Sequence, residues 1–324
     1  MDQKILFYGM RHVTLRQLRA LLAIRAHGKI VSAARTLGLT APAITLQLKQ
    51  LEEEAGVSLF DRTAQGMRPT AAGLAVIEAA QAIEERLRVL RDEIDAIRGA
   101  RHGSLVVGAV STAKYFAPQV VAGFLREHPQ VELKLFVGNR AQTIGSLKDH
   151  RVDVALMGSP PRDVPVRAAA FGDHPLLVVA APDHPLAGRR RIAREVVARE
   201  HFIIREPGSG TRSSFERFLG EIPGRLDDPG TEMDSNETIK QAVMAGLGVA
   251  FISAHTVALE VETGRLAVLD VEGLPVWRQW FAVSRTDRSV TPVMAAFEAF
   301  LARRGAALLP VLGALGPVRD AASG

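Results

Sequence analysis

The sequence predicts a multidomain fold, in which a small helical N-terminal domain, one long helix and a two-lobed α/β domain follow one another. The first observation behind it is charge: residues 1–70 hold ten Lys and Arg against five Asp and Glu, whereas the other 254 residues hold 30 of each sign. The second is a narrow apolar stripe between residues 76 and 97, and the third is an alternation of short apolar runs with helical patterns from residue 104. A basic helical module on an electrically balanced body is typical of proteins that bind DNA through the module.

Composition excludes several classes of protein. A length of 324 residues favours about two domains, and an apolar content of 47% allows buried cores. The absence of cysteine excludes disulfides, thiol catalysis and cysteine-ligated metals. No apolar run is long enough to span a membrane and no signal peptide is apparent, so we expect a cytoplasmic protein without a membrane partner.

Two short helices are predicted at the start of the N-terminal domain, which we place at residues 11–70. Apolar residues at three- and four-residue spacing over 15–24 predict a helix that ends near Gly28. Ser32 is expected to cap a second helix over 33–37, and Gly38 can take the positive φ of the turn that follows.

A third helix completes a helix-turn-helix pattern. Thr40 can cap it and Pro42 lies in its first turn, while Ile44, Leu48 and Leu51 form its inward stripe. Such a helix presents its N-terminal half to a major groove, and a hairpin turning at Gln65-Gly66 would form a wing beside the phosphates. The predicted DNA-contacting residues are Ser32, Arg35, Thr40, Ala41, Pro42, Thr45, Leu46, Lys49, Arg62 and Arg68.

The apolar stripe that follows predicts a helix over residues 71–98. It steps by four and three residues through Val76, Ala80, Ile83, Leu87, Leu90, Ile94 and Ile97, which is a heptad pattern. A helix that lies on its own domain usually has a wider apolar face, so we interpret this helix as a dimerisation helix. Its seam is predicted to consist of Ile83, Leu87, Leu90 and Ile94. Residues 99–104 are interpreted as a hinge.

The remaining chain, residues 105–305, predicts a domain of two α/β lobes joined by crossover strands, as in type 2 periplasmic binding proteins. Lobe I is placed at about 105–172 and 276–305 and lobe II at about 173–275, with a disordered tail over 306–324. Strands are predicted at 105–110, 131–137, 152–157, 176–181, 201–204, 248–253 and 276–283, and helices at 116–127, 141–148, 211–220, 236–245 and 292–303.

Three loops at the carboxyl ends of predicted strands mark a ligand site between the lobes, namely 111–114, 158–161 and 206–212. The third loop is rich in glycine and opens a helix, which favours an anionic and phosphorylated ligand. The alternative is an ordinary glycine-rich connector with surface arginines. The predicted effector-binding residues are Ser111, Thr112, Lys114, Arg140, Gly158, Pro160, Arg205, Gly208, Ser209, Gly210, Thr211, Arg212 and Asn236.

Enzyme chemistry is not predicted, because the sequence contains no P-loop, HExxH, GxSxG or CxxC motif. The repeated Asp-His-Pro-Leu at 173–176 and 183–186 could suggest a metal pair, but we interpret His174 and His184 as turn residues that flank one strand. Neither a metal nor a prosthetic group is expected.

The N-terminal domain resembles the winged helix-turn-helix of LysR-type transcriptional regulators. The matching residues are Leu22, Gly28, Ala33-Ala34, Leu37, Thr40, Pro42-Ala43, Gln47, Leu51-Glu52, Gly56, Leu59-Phe60, Arg62, Pro69-Thr70 and Ala72-Gly73. Two positions depart from the family, which often has Gln at Ala41 and Arg at Leu46. The resemblance implies a non-enzymatic regulator with three partners: promoter DNA, a small-molecule effector and further copies of itself, in a homodimer or homotetramer. RNA polymerase is a further candidate partner.

The C-terminal domain is similar to the effector domain of the same family, and most similar to the subfamily that regulates carbon dioxide fixation operons. The matching segments are 111–118, 156–161, 205–212 and 235–240. This similarity implies control of Calvin-cycle genes in response to a metabolite such as ribulose bisphosphate, phosphoenolpyruvate, ATP or NADPH. Two alternatives stay open: a LysR-type regulator of another pathway that senses a carboxylate, and a small-molecule-binding protein without a DNA role.

Overall fold

The computed structural model of the chain describes residues 10, 12–64, 66–97, 103–220 and 230–313, without the side chains of 88, 92, 93 and 95–97. The chain divides into two compact units, residues 1–91 and 92–324. Each unit has its own apolar core. In the described part of the chain, no helix is long and apolar enough to cross a membrane.

The N-terminal unit begins with three helices. Helix α1 (Leu15–His27) opens on a capping box and ends at Gly28, whose φ is 68°. Helix α3 (Ala41–Ala55) begins as predicted, with the Thr40 side chain accepting a hydrogen bond from the Ala43 amide.

The predicted start of the second helix is wrong. Helix α2 (Ile30–Leu37) begins before Ser32, at an N-cap Lys29 whose side chain makes no capping bond. Ile30 packs against the apolar core, so burial rather than a cap decides where the helix starts.

The wing is a hairpin of β1 (Phe60–Thr63) and β2 (Gly66–Pro69), paired antiparallel. Gln65, at its predicted turn, lies outside the described residues. The Glu52 carboxylate accepts hydrogen bonds from the amides of Leu59 at 2.8 Å and Phe60 at 3.3 Å, which ties the hairpin to α3. The Met67 amide donates to the Gly28 carbonyl at 2.8 Å, which ties the wing to the end of α1.

Helix α4 (Ala71–Ile97) follows directly. Its first turn is held by the Thr70 hydroxyl, which accepts from the Gly73 amide and donates to the Ser58 carbonyl, both at 2.9 Å. Three residues of the predicted dimer seam are exposed, and Leu87 is half-buried. The exposed fractions are 42% for Ile83, 48% for Leu90 and 41% for Ile94. Of the predicted hinge, residues 99–102 lie outside the described residues.

The first lobe of the C-terminal unit is built on a parallel βαβαβ arrangement, as predicted. Strand β3 (Gly103–Val110) lies between β4 (Val131–Gly138) and β5 (Val154–Met157) and is parallel to both. A 3-10 helix at Ala113–Tyr115, α5 (Ala117–Glu127) and α6 (Arg140–Lys148) make the connections. Helix α11 (Pro292–Arg304) returns to the core of this lobe, where Phe297 and Phe300 are fully buried.

Two long strands join the lobes. Strand β6 (Val166–Ala180) pairs antiparallel with β11 (Val276–Arg285), with a register shift at Trp280/Phe281. The prediction that a strand begins at residue 176 is therefore wrong, because β6 starts ten residues earlier. Its first residues, Val-Arg-Ala-Ala-Ala, have little β-propensity of their own, and pairing with β11 holds them extended.

The second lobe contains α7 (Arg194–Val197), β7 (Ile203–Arg205), α8 (Gly210–Gly220), β8 (Thr231–Met233), α9 (Asn236–Met244), β9 (Ala250–Ser253), α10 (Ala254–Glu262) and β10 (Ala267–Val268). Strands β9 and β10 extend the sheet from β6, and β7 pairs with β8. Helices α7 and α10 and strands β8 and β10 were not predicted from the sequence. Apart from β6 and α2, the predicted elements of the chain agree with the structure to within two residues at each end.

The predicted disordered tail is wrong for its first part. Residues 306–308 form a 3-10 helix, and Leu308 and Leu309 pack against the core of lobe I. Leu312 is buried in a core of lobe II. The chain is therefore ordered up to residue 313 because it continues to bury leucines, and residues 314–324 lie outside the described residues.

Gly73 is expected to be required for the fold of the N-terminal unit. A Cβ at this position would lie 1.9 Å from the backbone oxygen of Leu59, so Gly73→Ala must displace backbone. We expect a loss of about 1–3 kcal/mol in the free energy of unfolding of this unit, measured by urea denaturation. Gly145→Ala is the control, because its Cβ meets nothing within 4 Å, and alanine should stabilise α6 slightly. Equal stability of Gly73→Ala and the wild type would contradict the close approach.

Candidate DNA interface and effector cleft

The outward face of α3 and the wing carry the residues predicted to contact DNA. Lys49 and Leu46 are exposed, with 72% of the lysine side chain and 52% of the leucine residue accessible. Also exposed are Arg35, Thr40, Pro42, Arg62 and Arg68, whereas Ser32, Ala41 and Thr45 are half-buried. The positively charged residues of the set are therefore accessible to a polyanion.

The two threonines of this set already have hydrogen-bond partners within the helix. The Thr45 hydroxyl donates to the Ala41 carbonyl at 2.9 Å, and Thr40 caps the helix. Lys49 lies 3.6 Å from Glu53, an exposed pair that contributes little to stability. This arrangement favours phosphate contacts by lysine and arginine over base readout by the threonine hydroxyls.

A cavity of about 380 Å³ lies between the two lobes of the C-terminal unit. The three predicted loops converge on it from the carboxyl ends of β3, β5 and β7. Lobe I contributes Val110, Ser111, Thr112, Arg140, Gly158, Ser159, Pro160 and Arg162, and the crossover strands and lobe II contribute His174, Leu176, Ser209, Gly210, Thr211, Ser213, Ser214, Arg217 and Arg278.

The cavity is strongly cationic. It is lined by Arg140, Arg162, Arg217 and Arg278, and no carboxylate is among the lining residues of the described chain. Burial lowers the pKa of Arg140. Burial, with the charges of Arg217 and Arg140, also lowers the pKa of Arg278. Mutual repulsion of this kind is relieved by an anion.

Two of these arginines are held in place by neighbours. Arg140, in the first turn of α6, donates to the carbonyl oxygens of Ser159 and, at 3.4 Å, Pro160. Arg278 donates to the Ser214 hydroxyl at 2.5 Å. In the described part of the chain no carboxylate forms an ion pair with either, although the charge of Asp163 acts on Arg140.

His174 lies inside β6, so the interpretation of this residue as part of a turn is wrong. Its ring stacks on the Trp280 indole, with 3.9 Å between centroids, and is buried because the long crossover strand carries it into the cleft. The Trp280 indole N–H donates to Nδ1 of His255 at 3.0 Å. His184 does lie in a turn, where its Nδ1 accepts from the Leu186 amide. Among the described residues, no His, Asp or Glu cluster could hold a metal.

Eight of the thirteen predicted effector-binding residues line the cavity, and five do not. The eight are Ser111, Thr112, Arg140, Gly158, Pro160, Ser209, Gly210 and Thr211. The five outside the lining are Lys114, Arg205, Gly208, Arg212 and Asn236. Arg212 forms ion pairs with Glu216 at 2.6 Å and Glu232 at 3.5 Å, so these acidic neighbours hold it away from the cavity.

Two of the residues outside the lining, Arg205 and Lys114, bridge the lobes. The buried Arg205 guanidinium donates to Glu206, to Asn236 Oδ1 at 2.6 Å and to Ser111 Oγ at 3.1 Å. Ser111 belongs to lobe I and also lines the cavity. The bridge therefore meets the cavity at Ser111, while Arg205 and Asn236 lie outside the wall.

A second bridge centres on Glu237. It accepts from the Tyr115 hydroxyl at 2.7 Å and lies 3.2 Å from Lys114 Nζ. Although burial acts to raise its pKa, the hydrogen bonds from Tyr115 and Lys240 lower the pKa of Glu237 to about 2. Burial and Glu237 together raise the pKa of Tyr115. Glu237 is therefore ionised and Tyr115 protonated throughout the physiological pH range.

Several lining residues escaped prediction from sequence. Arg162 follows a predicted loop by one residue, and Arg217 lies on the same face of α8 as Ser213 and Ser214, so helical periodicity could have found it. His174 and Arg278 lie on β6 and β11, and only the pairing of those strands brings them to the cavity.

Comparison with known proteins identifies both units. The family described as "Bacterial regulatory helix-turn-helix protein, lysR family" matches residues 15–74, and the "LysR substrate binding domain" matches residues 98–306. The chain belongs to the LysR family of DNA-binding transcriptional regulators, and its relatives are named as regulators rather than enzymes.

Individual relatives cover almost the whole chain. An HTH-type transcriptional regulator CbbR of Rhizobium meliloti (strain 1021) is 59% identical over 94% of this chain and 97% of its own length. A RuBisCO operon transcriptional regulator of Allochromatium vinosum is 44% identical over 93% of this chain and 100% of its own. The solved regulatory domain of CcmR from Synechocystis PCC6803, in complex with 2-PG, is 31% identical, with a TM-score of 0.58 over 62% of this chain and 96% of that chain.

Lys49 is expected to contact a DNA phosphate. Lys49→Ala should weaken DNA binding and reduce the slope of log affinity against log salt concentration by about 1, because one fewer counterion is released. Fluorescence anisotropy with operator DNA over a range of salt measures that slope. Lys134→Ala, an equally exposed lysine of β4, is the control and should leave the slope unchanged. An unchanged slope for Lys49→Ala would remove this residue from the interface.

His255 is expected to make the C-terminal unit less stable in acid. Burial lowers the pKa of His255 to about 4, from 6.5 in the unfolded chain, so the unfolded chain binds the proton more tightly between these values. The free energy of unfolding should fall by about 2 kcal/mol from pH 7 to pH 5 on account of this residue.

Urea denaturation of the C-terminal unit at the two pH values measures this dependence. His255→Gln should reduce it by that amount and leave the part due to His174, whose pKa burial also lowers, whereas His12→Gln, at an exposed position of the other unit, should leave the dependence unchanged. An equally steep dependence in His255→Gln would assign the acid sensitivity to another group.

Proposed function

We propose that this LysR-type regulator controls operons for carbon dioxide fixation, and that a small phosphorylated metabolite in the cleft sets its action on promoter DNA. The observation that carries the proposal is the set of four guanidinium groups in a cavity with no carboxylate among its lining residues in the described chain. The relative named for the RuBisCO operon supports the choice of operon. Similarity to a regulatory domain solved with 2-PG supports a small ligand.

The size of the cavity narrows the choice of effector. Its volume of about 380 Å³ is near the lower end of the usual range of ligand sites, about 300–1,000 Å³. Of the metabolites that the family resemblance implies, ribulose bisphosphate and phosphoenolpyruvate therefore suit the cleft better than ATP or NADPH.

The contacts suggest how occupancy of the cleft is transmitted. Ser111 lines the cavity, and its hydroxyl also accepts a hydrogen bond from Arg205. A ligand that forms a hydrogen bond with Ser111 therefore alters the bridge between the lobes. The effector must bind two DNA-bound arrangements of the protein with different affinities. Equal affinities would leave the equilibrium between the two arrangements unchanged. We propose a dimer through the exposed stripe of α4, and a tetramer of two such dimers, as the assembly whose arrangement on DNA changes.

A second candidate function is a LysR-type regulator of another pathway that senses a carboxylate. The same observation favours it, since the guanidinium fork binds carboxylates as well as phosphates. The experiment below distinguishes the two.

The test is a mobility-shift assay on the DNA upstream of a RuBisCO operon, with ribulose bisphosphate, phosphoenolpyruvate, ATP, NADPH or a dicarboxylate such as succinate. We expect a specific shift that a small phosphorylated compound changes. Arg217→Ala should weaken the effect of that compound by a factor of about 10 or more, since it removes a charge-assisted contact, and should leave basal DNA binding intact.

Arg212→Ala is the matched control on the same helix, because Arg212 is held by Glu216 and Glu232 outside the cavity. It should behave as the wild type. A response to succinate alone would favour the second candidate, and a shift that no compound changes would contradict the anionic effector.

A further inference from the structure

Among the described residues of the cavity wall, His174 is the one whose side-chain polar atoms are buried without a hydrogen-bond partner. It is 5% exposed, and neither of its ring nitrogens has a hydrogen-bond partner among the described residues. Gly158, also in the cavity wall, packs close to the imidazole ring, since a Cβ there would lie 2.6 Å from Nδ1. A buried imidazole without a partner is costly, and a ligand group in this cavity can supply one.

Three hydroxyl groups that lobe II contributes to the cavity wall already form hydrogen bonds within the protein. Ser213 and Ser214 donate to the carbonyls of Ser209 and Gly210, and Ser214 also accepts from Arg278. The Ser209 hydroxyl accepts from the Thr211 amide. These side chains contribute to the wall, while His174 keeps both of its hydrogen-bonding sites for a ligand.

The surroundings keep His174 neutral. The ring stacks on Trp280, with the His255 ring 6.1 Å away and nearly parallel, and Arg278 is the charged group that acts on it. Burial, then His255 and Arg278, hold the pKa of His174 well below its usual value. Trp280 cannot serve as its partner, because the indole N–H already donates to His255.

A neutral imidazole has one N–H donor and one lone pair. An anionic oxygen can accept from the N–H but is repelled by the lone pair. A hydroxyl group can donate to the lone pair or accept from the N–H, so it suits either tautomer. The four arginines supply the contacts for anionic groups, and His174 supplies a contact for a group of another kind.

We propose that His174 is a specificity-determining residue, which selects, among the small anions that the arginines admit, those that also carry a hydroxyl group. The effector is accordingly a hydroxylated phosphate and not a bare anion. This inference rests on the proposed function in that it takes the cleft as the site of a phosphorylated ligand.

The test compares two compounds that differ by one hydroxyl: 3-phosphoglycerate and its 2-deoxy analogue, 3-phosphonooxypropanoate. Isothermal titration calorimetry on the full chain measures both dissociation constants, with inorganic phosphate as a third probe. We expect the wild type to bind 3-phosphoglycerate about five- to tenfold more tightly than the deoxy compound, the contribution of one hydrogen bond. His174→Phe, which retains an aromatic ring against Trp280, should bring the two constants within about twofold by weakening only the hydroxylated compound.

His184→Phe is the matched control, because His184 has the same sequence neighbours and lies outside the cavity; it should keep the wild-type ratio. A ratio in His174→Phe equal to that of the wild type, or equal binding of both compounds by the wild type, would overturn the proposal. If none of the three probes binds while operator DNA is still retarded, the phosphate-sensing part of the proposed function fails, and this inference fails with it.

A measurement on the wild-type protein tests the same contact without depending on the fold of a variant. In protein labelled with ¹⁵N-histidine, 3-phosphoglycerate should shift the ring nitrogen resonances of His174, assigned through His174→Gln, and the deoxy compound should leave them in place. Equal shifts with both compounds would count against a contact with the hydroxyl.

Discussion

The antiparallel pairing of β6 with β11 is the interaction on which the C-terminal unit depends. Because each strand runs through both lobes, one ladder of hydrogen bonds joins two cores that are otherwise separate. The same ladder forms the floor of the cleft, where it presents His174 and Arg278. Sliding one strand along the other by a single residue would turn the side chain of the strand that slides away from the cavity. The positions of His174 and Arg278 in the cavity wall thus depend on the register of this strand pair.

Two groups of residues surround the cleft: those that line the cavity and those that connect the two lobes. The lining arginines and serines lie on β11, on α6 and α8 and in the loops that follow strands, whereas Arg205, Tyr115 and Glu237 connect the lobes just outside the cavity. Ser111 belongs to both groups. The shared position of Ser111 is the contact through which we propose that a ligand in the cavity acts on the bridge between the lobes.

Much of this architecture was predictable because its signals are local. The Thr40 cap, the glycine that ends α1 and the loops after β3, β5 and β7 each depend on a few neighbouring residues, and the structure bears them out. The start of α2 and the first ten residues of β6 were not predictable, since tertiary packing and strand pairing outweigh weak local preference there.

The same distinction applies to the site. A glycine-rich loop beside Arg205 and Arg212 indicated an anion site, but both arginines find their partners elsewhere: Arg205 in Glu206, Asn236 and Ser111, and Arg212 in acidic residues of lobe II. Arg278 reaches the cavity from a strand more than a hundred residues away from the loops after β3 and β5. The sequence shows which residues are charged, but only the fold shows which of these charges already have a partner.

The four guanidinium groups that face one cavity have a consequence for the solvent as well as for the effector. Such a cluster attracts oxyanions of any kind, so we expect phosphate and sulfate in a buffer to compete for the cleft with the effector that we propose. The same ions screen the contact of the N-terminal domain with DNA phosphates. The salt of a buffer therefore affects this protein both at the cleft and at the DNA interface. Measurements in two solutions of equal ionic strength but different anions are not directly comparable.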